Sequence, residues 1–507
     1  MKRKFFSLLI LAAIVNHAFA QDEFDALRYS YNQLQGTARS QSLGGAVGSI
    51  GADFSALSVN PAGIGIYKSS EFTFSPSFSV GSNESSYLGG SISRNSSKLN
   101  ISNAGIIITN TQPGGRNGRK NGWKAFNFGI GMNRLANYKN EYAYSGENRK
   151  NSFIEVFSED FNSLGGINNN SLSEVNFGAY GAYQTYLIDT LTGSSEAISF
   201  VPYADGIRQT KTVQESGGLN EYVISFGGNY LDQLMIGATI GIQSVRYDRN
   251  LQFQEEDISG NNNNDFNYFN FRENLNTTGA GVNLKIGAIY KPNPAFRLGL
   301  ALHTPTFTEL NDVSAIEITS HTDSLLLGGN PGQSPISTYT QDSAQVFNYS
   351  LQTPYKALLS AVVFIGTKGF ITSDIEYVDY ASMRYDYGLG YDNETNKINS
   401  VIQNTYQDAI NVRLGAEARL SSTISIRGGF AYYGSPYKSN AVYGSRSNGS
   451  LGIGYRNRFV FMDAAYSLGF QKYVEYPYLL SRNNASVQAS TIATRRGALA
   501  VTFGFRF

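Results

Sequence analysis

Ala498-Leu499-Ala500-Val501-Thr502-Phe503-Gly504-Phe505-Arg506-Phe507 ends the sequence and decides how the rest is read. Leu499, Val501, Phe503, Phe505 and Phe507 share one parity; Ala498, Ala500, Thr502, Gly504 and Arg506 share the other. Successive side chains of an extended strand point to opposite faces, so one face here is purely apolar and the other is small or charged. A strand that crosses a membrane needs about 9–11 residues, with lipid on one side and a barrel interior on the other. The spacing predicts such a strand, with its aromatic residues facing lipid.

Composition agrees. The 507 residues include 53 Gly, 34 Tyr and 32 Phe, one Trp (Trp123), and only 16% charged residues. Abundant Tyr and Phe with little charge suit a barrel with an aromatic girdle at each membrane interface. Beyond the first twenty residues no segment approaches the roughly 18 consecutive apolar residues of a spanning helix; the longest, 357–366, is strand-sized. Only helices and closed barrels satisfy their backbone in lipid, so a membrane protein without spanning helices is a barrel. At the other end, Lys2, Arg3 and Lys4, an apolar stretch over 5–15 and Ala18-Phe19-Ala20 read as a cleaved secretory signal. Its removal would take three basic residues and change the net charge from +1 to −2. Near neutrality argues against a nucleic-acid partner, and the absence of Cys excludes disulfides, thiolate metal sites and lipoprotein anchoring.

Walking back from the C-terminus, alternating stretches are joined in turn by tight turns and long polar loops. The turns are Arg456-Asn457-Arg458, Ser421-Ser422, Thr367-Lys368-Gly369, Pro292-Asn293-Pro294 and Leu231-Asp232-Gln233. The long connections are 474–493, 437–444, 389–404, 313–344, 257–274, 146–205 and 81–97. Expected strands are 71–80, 98–110, 123–145, 206–230, 233–256, 275–291, 295–312, 345–366, 370–388, 405–420, 423–436, 445–456, 459–473 and 494–507. The expected fold is therefore all-β: a 14-stranded antiparallel transmembrane β-barrel, both ends of the barrel on the short-turn side. Gly217-Gly218 leaves open whether 206–230 is one strand or two.

Parity also assigns the inward face. Arg or Lys at the midplane of the lipid face costs about 2–4 kcal/mol, which fixes the frame of each strand. Arg297, Arg413, Arg419, Arg427, Glu417, Asp374, Glu376 and Arg506 are expected to line the lumen. They can form an ion-paired network that stiffens the barrel. Alternatively, a subset, with Arg297, Arg413 and Arg427 as the anion-binding candidates, can grip an acidic group of a ligand.

Before the first strand lies a segment of small residues, 40–65, which includes Ala52-Asp53 and Asn60-Pro61-Ala62-Gly63. It is apolar and compact enough to pack inside a barrel, and Asn60-Pro61 forces a turn. Upstream, Phe24, Leu27, Tyr31 and Leu34 fall at helical spacing behind Asp22. The glycine- and alanine-rich stretch, Ala52-Asp53 and above all Asn60-Pro61-Ala62-Gly63 resemble the N-terminal hatch of FadL-type outer-membrane transporters. The specific likeness covers about 25 residues of 507, the remainder agreeing in architecture. That resemblance implies 1–20 as signal peptide, 21–70 as luminal plug and 71–507 as barrel, with Asn60, Pro61, Ala62 and Gly63 mainly folding the hatch. It further implies a monomer in the outer membrane of a Gram-negative-type bacterium, surrounded by outer-membrane lipid. Phe507 resembles the C-terminal signature read by the barrel-assembly machinery during insertion.

The family resemblance also implies passive uptake of a hydrophobic small molecule, fatty acid-like or aromatic, with no cofactor and no metal. Ligand would be captured on extracellular loops and released past the hatch, often sideways through a strand defect. In 146–205, Phe153, Phe157, Phe161 and Leu164 lie on one helical face, as do Tyr180, Tyr183, Leu187 and Leu191 further on. They either form that capture surface or pack the two helices together over the barrel mouth. An enzyme is not expected: His303 and His321 alone would remain after signal cleavage, and GxSxG, HExxH and P-loop motifs are absent. The alternative function is a shuttle barrel resembling the PorV type, which binds secreted protein cargo for a secretion system.

Overall fold

The computed structural model describes residues 23–111, 122–168, 171–191, 193–323, 336–341, 344–439, 442–481 and 487–507. The expected signal segment, 1–20, lies outside them. Among the described residues fourteen wall strands run antiparallel and close on themselves. They are β1 Glu71–Tyr87, β2 Gly90–Thr111, β3 Trp123–Asn137 continued by Asn140–Asn148, β4 Ile207–Tyr230, β5 Leu234–Asp257 and β6 Tyr268–Asn293. β7 is Phe296–His303 and Phe307–His321; β8 is Ile336–Thr340, Gln345–Gln352 and Lys356–Ile365; β9 is Gly369–Asp379 and Arg384–Asp386. β10 Asp408–Arg419, β11 Ile424–Tyr433, β12 Arg446–Arg456, β13 Val460–Glu475 and β14 Ser490–Arg506 complete the wall. β1 pairs with β14 from Glu71 opposite Arg506 to Ser86 opposite Thr491, which closes the barrel and leaves no free edge there.

The five tight turns expected from the sequence fall at one end, and the β1–β2 turn falls at the other. Leu231 and Asp232 both have positive φ, 55° and 56°, the left-handed pair at the centre of the tight turn 231–233 that joins Tyr230 to Leu234. Two readings are corrected and one open point is settled. The stretch 81–97 is not a loop: β1 and β2 stay paired to Tyr87 opposite Gly90, around Leu88-Gly89. The stretch 206–230 is one strand, because its pairing with β5 runs without a shift past Gly217. The helix expected through Leu191 stops at Gln184, because Tyr186 turns into the left-handed region at φ 60°.

Strand length explains the first correction. A spanning strand needs about 9–11 residues, yet β4 and β5 have 24 each and β6 has 26. Along β5 the outward residues Ile236, Ile240 and Ile242 are exposed and apolar, and Arg246, Asn250 and Gln252 beyond them are exposed and polar. The wall therefore continues past the hydrocarbon, and there alternation of apolar residues no longer marks a strand. The exposed belt continues around the barrel through Leu298, Leu300, Ile410, Leu414, Phe430, Leu499 and Phe503. A closed barrel with this exterior is a membrane barrel of the outer-membrane type.

The lumen is filled by the chain that precedes β1. Helix α1 Glu23–Ser30, the short α2 Ala38–Ser42 and two 3-10 turns, Phe54–Ser58 and Pro61–Ile66, lie inside the wall. Wall glycines admit them. A methyl group on Gly131 would strike the Phe54 ring, on Gly237 the Pro61 carbonyl, on Gly287 the Asn60 amide and on Gly429 the backbone at Leu43 and Gly44. These glycines sit on β3, β5, β6 and β11, so the close fit is distributed around the barrel. At the long-loop end α3 Ile154–Ser163, α4 Ser171–Glu174, α5 Phe177–Gln184 and α6 Asp392–Thr405 cover the mouth.

Candidate functional site

The hatch motif is a cap. Asn60 precedes the Pro61–Ile66 turn; its side-chain oxygen accepts from the Ala62 N–H at 3.1 Å, and its amide donates to the Gly48 carbonyl at 2.7 Å. Pro61 occupies the first turn position, where no N–H is required. Asn60, Pro61, Ala62 and Gly63 are all buried. Asp53 does the same for the preceding turn, accepting from Ser55 N at 2.9 Å and Thr37 Oγ1 at 2.8 Å. One motif thus folds the plug and ties two of its segments together.

The wall then grips the plug through polar groups. Gly48 N donates to Asp374 at 3.0 Å, Arg297 donates to the Ile50 carbonyl at 2.7 Å, and His303 Nε2 lies 2.9 Å from the Val59 carbonyl. Arg413 donates to Glu376 at 2.8 Å; Arg427 donates to Glu417 at 2.7 Å and to Asp463 at 2.6 Å. Arg297, Arg413 and Arg427 all point inward. Arg413 and Arg427 already have carboxylate partners, and Arg297 is engaged with plug backbone and the Phe364 ring, 4.7 Å from its guanidinium. Arg419 is at the rim and exposed.

Above the hatch, α1 occupies a tyrosine-lined chamber. Ala26, Leu27 and Tyr29 pack among Tyr138, Tyr247, Tyr349, Tyr380 and Tyr385 in one buried cluster. Tyr29 stands 6.3 Å from both Tyr138 and Tyr247, edge to face, and Arg28 pairs with Asp25 while lying 4.3 Å over the Tyr247 ring. Burial pushes the Tyr31 hydroxyl up to about 12, opposed by Arg446 over its ring. Aromatic walls of this kind suit an apolar guest, and here the guest is the protein's own helix.

At the mouth, Phe153 precedes α3 and packs on Phe157, Phe253 and Phe271 at 5.0, 5.0 and 5.2 Å. Phe157 and Phe161 are buried, Leu164 is half-buried, and Phe157 rests on Gly178 of α5. The helices therefore pack on each other and on the upper wall, and these rings form a closed cluster. Burial raises the Glu155 carboxyl above its usual range.

The ladder between β2 and β3 is interrupted, a feature the sequence reading did not place. β2 and β3 are paired only from Asn103–Thr111 against Ala125–Asn133. At the bulge, Ser75 faces Asn103 and Pro76 faces Ile101, which leaves Ser102 unpaired with β1; its hydroxyl donates to the carbonyls of Gly36 and Ser75. β3 breaks at Tyr138-Lys139 and dips inward, where Gln33 N donates to the Leu135 carbonyl at 2.8 Å and Gln33 Oε1 accepts from Asn137 N at 3.0 Å. Tyr142, Ala143 and Tyr144 are then buried in succession, which a wall strand with one face outward does not allow. A seam results between β2 and β3. Lys98 reaches across it to the Gly217 carbonyl at 3.2 Å, and Arg134 donates to the same oxygen at 2.9 Å. The seam begins inside the apolar belt, since Leu99 and Ile101 of β2 are exposed beside it. Beside the break lies a polar cavity of about 430 Å³ lined by Lys139, Glu215, Asp248, Arg249 and Asn276 among others.

No family model matches the chain, and no curated protein matches it in sequence. Among solved structures it is similar to a FadL homologue of Pseudomonas aeruginosa, with 12% identity and a TM-score of 0.55 over 94% of this chain and 100% of that one. The chain has the FadL-type fold. The toluene transporter TodX of P. putida gives 12% identity and 0.51, and TbuX of Ralstonia pickettii, also a toluene transporter, gives 15% and 0.50; each match covers 94% of this chain and 99% of the other. At identities this low the likeness shows the fold alone. Within the FadL-type fold, the readable signals were the hatch motif and the inward charges. The seam had one sequence signal: the outward apolar residues of β2 change parity, from Leu99 and Ile101 to Ile106 and Ile108.

Proposed function

We propose that the protein takes up hydrophobic small molecules passively across the outer membrane and releases them sideways through the seam between β2 and β3. One observation carries this reading: the axial path is filled by the plug, while the wall is parted at the level of the apolar belt. A water-filled pore needs the opposite arrangement. The tyrosine-lined chamber is the holding site, and a ligand enters it as α1 withdraws. Asn60, Pro61, Ala62 and Gly63 fold the hatch. Arg297, Arg413 and Arg427 hold plug and wall together. Phe153, Phe157, Phe161 and Leu164 provide capture surface when the loop helices part. The FadL-type architecture, shared with solved transporters, supports the reading.

The test is native mass spectrometry of protein released gently from its own outer membrane. A stoichiometric apolar molecule or amphiphile, lost when Tyr247 and Tyr349 are both changed to Ser, supports the reading. An empty barrel that carries a secreted protein instead moves the assignment to the PorV-type shuttle. An empty barrel with neither refutes both.

A further inference from the structure

The seam carries charge that neither plug nor wall uses. Lys98 and Arg134 share the Gly217 carbonyl, and among the described residues neither they nor Lys139 forms an ion pair with a carboxylate. Arg246 projects from the neighbouring strand on the outer face, 72% exposed along its side chain, with Asp248 at 3.5 Å as its acid partner. Lys98, Arg134, Lys139 and Arg246 thus surround the same break, with Asp248 and Glu215 as the acids beside it. Their height is fixed by Leu99 and Ile101, which lie beside Lys98 on β2 and are 72% and 43% exposed to the surroundings of the barrel. Past Ile242 the outward face of β5 turns polar, so Arg246 stands at the upper edge of the belt. Cations at the end of an apolar surface face the headgroups of the leaflet, and clustered Lys and Arg at that level attract anionic lipid.

The arrangement has two further properties. A main-chain carbonyl is a weak partner for two cations at once, so both side chains can turn to a phosphate without leaving a carboxylate unpaired. The interrupted ladder leaves β2 without a β3 partner from Gly90 to Ser102; of these residues Leu99 to Ser102 stand at the apolar belt, where unpaired backbone calls for cover.

We infer that the seam binds the phosphate headgroup of an anionic outer-leaflet lipid, held by Lys98, Arg134 and Arg246 with an acyl chain along Leu99 and Ile101. The lipid closes the wall while the barrel is idle. This goes beyond the uptake reading and does not depend on the identity of the cargo.

The experiment uses the full-length mature protein, delipidated in detergent. Doubly phosphorylated lipid A, phosphatidylcholine and palmitate are added separately and binding is read by native mass spectrometry. Lipid A is expected to bind one per barrel, more tightly than phosphatidylcholine, and to weaken as salt is raised. Each basic group near an anionic headgroup counts for about fivefold, so Lys98→Gln with Arg134→Gln should weaken lipid A about thirtyfold and leave phosphatidylcholine unchanged. The salt series on the unaltered chain keeps the test decisive if the double variant does not fold. Equal binding of the two lipids, or salt-independent binding of lipid A, overturns the inference. Displacement of lipid A by equimolar palmitate also overturns it, assigning the cations to a carboxylate in transit. None of these outcomes touches the copurification test of uptake.

Discussion

Gly429→Ala is expected to loosen the plug. Gly429 lies on β11, and a Cβ there would collide with the Gly44 nitrogen and the Leu43 carbonyl carbon of the hatch. Both obstacles are backbone, so no rotamer change relieves them. Overpacking a fitted interior costs about 1–3 kcal/mol. The wall stays folded when the plug undocks, so this cost of about 1–3 kcal/mol falls on the docked plug and raises the undocked fraction by roughly five- to 150-fold. Planar-bilayer conductance is the assay, because an undocked plug opens the axis to ions. Gly449→Ala is the control: Gly449 is on the paired strand β12, and a Cβ there meets nothing within 4 Å. Rare channel openings should become more frequent in the Gly429 variant and stay unchanged in the Gly449 variant. If the Gly429 variant conducts like the unaltered protein while its stability is also unchanged, the wall does not hold the plug by close fit. If both variants conduct, the effect belongs to the wall and the reasoning fails.

Two other outcomes are expected. Arg427→Ala leaves Glu417 and Asp463 buried without the cation that lies between them, and breaking a buried ion pair costs about 3–5 kcal/mol. Urea unfolding in detergent, followed by the fluorescence of Trp123, should show that loss, and Arg427→Lys, which keeps the charge, should lose less; equal losses in the two variants would contradict it. Phe153→Ser with Phe157→Ser removes two rings from the cluster at the mouth, each removal costing about 3–5 kcal/mol locally. The 146–205 connection should then become protease-sensitive while the barrel itself resists, whereas unchanged protection would show that these rings do not hold the loop closed.

Where the wall lies in hydrocarbon, its strands were legible because lipid outside and plug inside impose opposite demands at every second residue. β10 and β11 show it: Ile410, Leu414, Ile426 and Phe430 face out, and Arg413, Glu417 and Arg427 face in. Past the belt both faces meet polar surroundings, and the Ser- and Asn-rich ends of β1 and β2 read as loop although they are paired. The hatch motif was legible for a local reason, since Asn60 caps the turn that Pro61 begins. The partners of the inward arginines were not. Glu417 sits directly opposite Arg427 in the β10–β11 hairpin, but Glu376 and Asp463 lie 37 and 36 residues from Arg413 and Arg427, and only register decides that these charges meet.

The sequence by itself determined that this chain alternates as a membrane barrel, how many strands cross, which residues face inward and where the small residues of a plug begin. These follow from side-chain period, turn chemistry and residue size, all local properties. The tertiary structure alone decided that α1 fills the tyrosine-lined chamber and that the loop phenylalanines are closed against one another. It also decided that β3 leaves the wall. Tyr142 and Tyr144 keep the parity of Phe126 and Ile130, which face lipid, yet they are buried, because Gln33 of the plug draws the strand inward and the β1–β2 hairpin covers it. Parity reports which side of a strand a residue occupies; only the packing of distant segments determines what lies on that side.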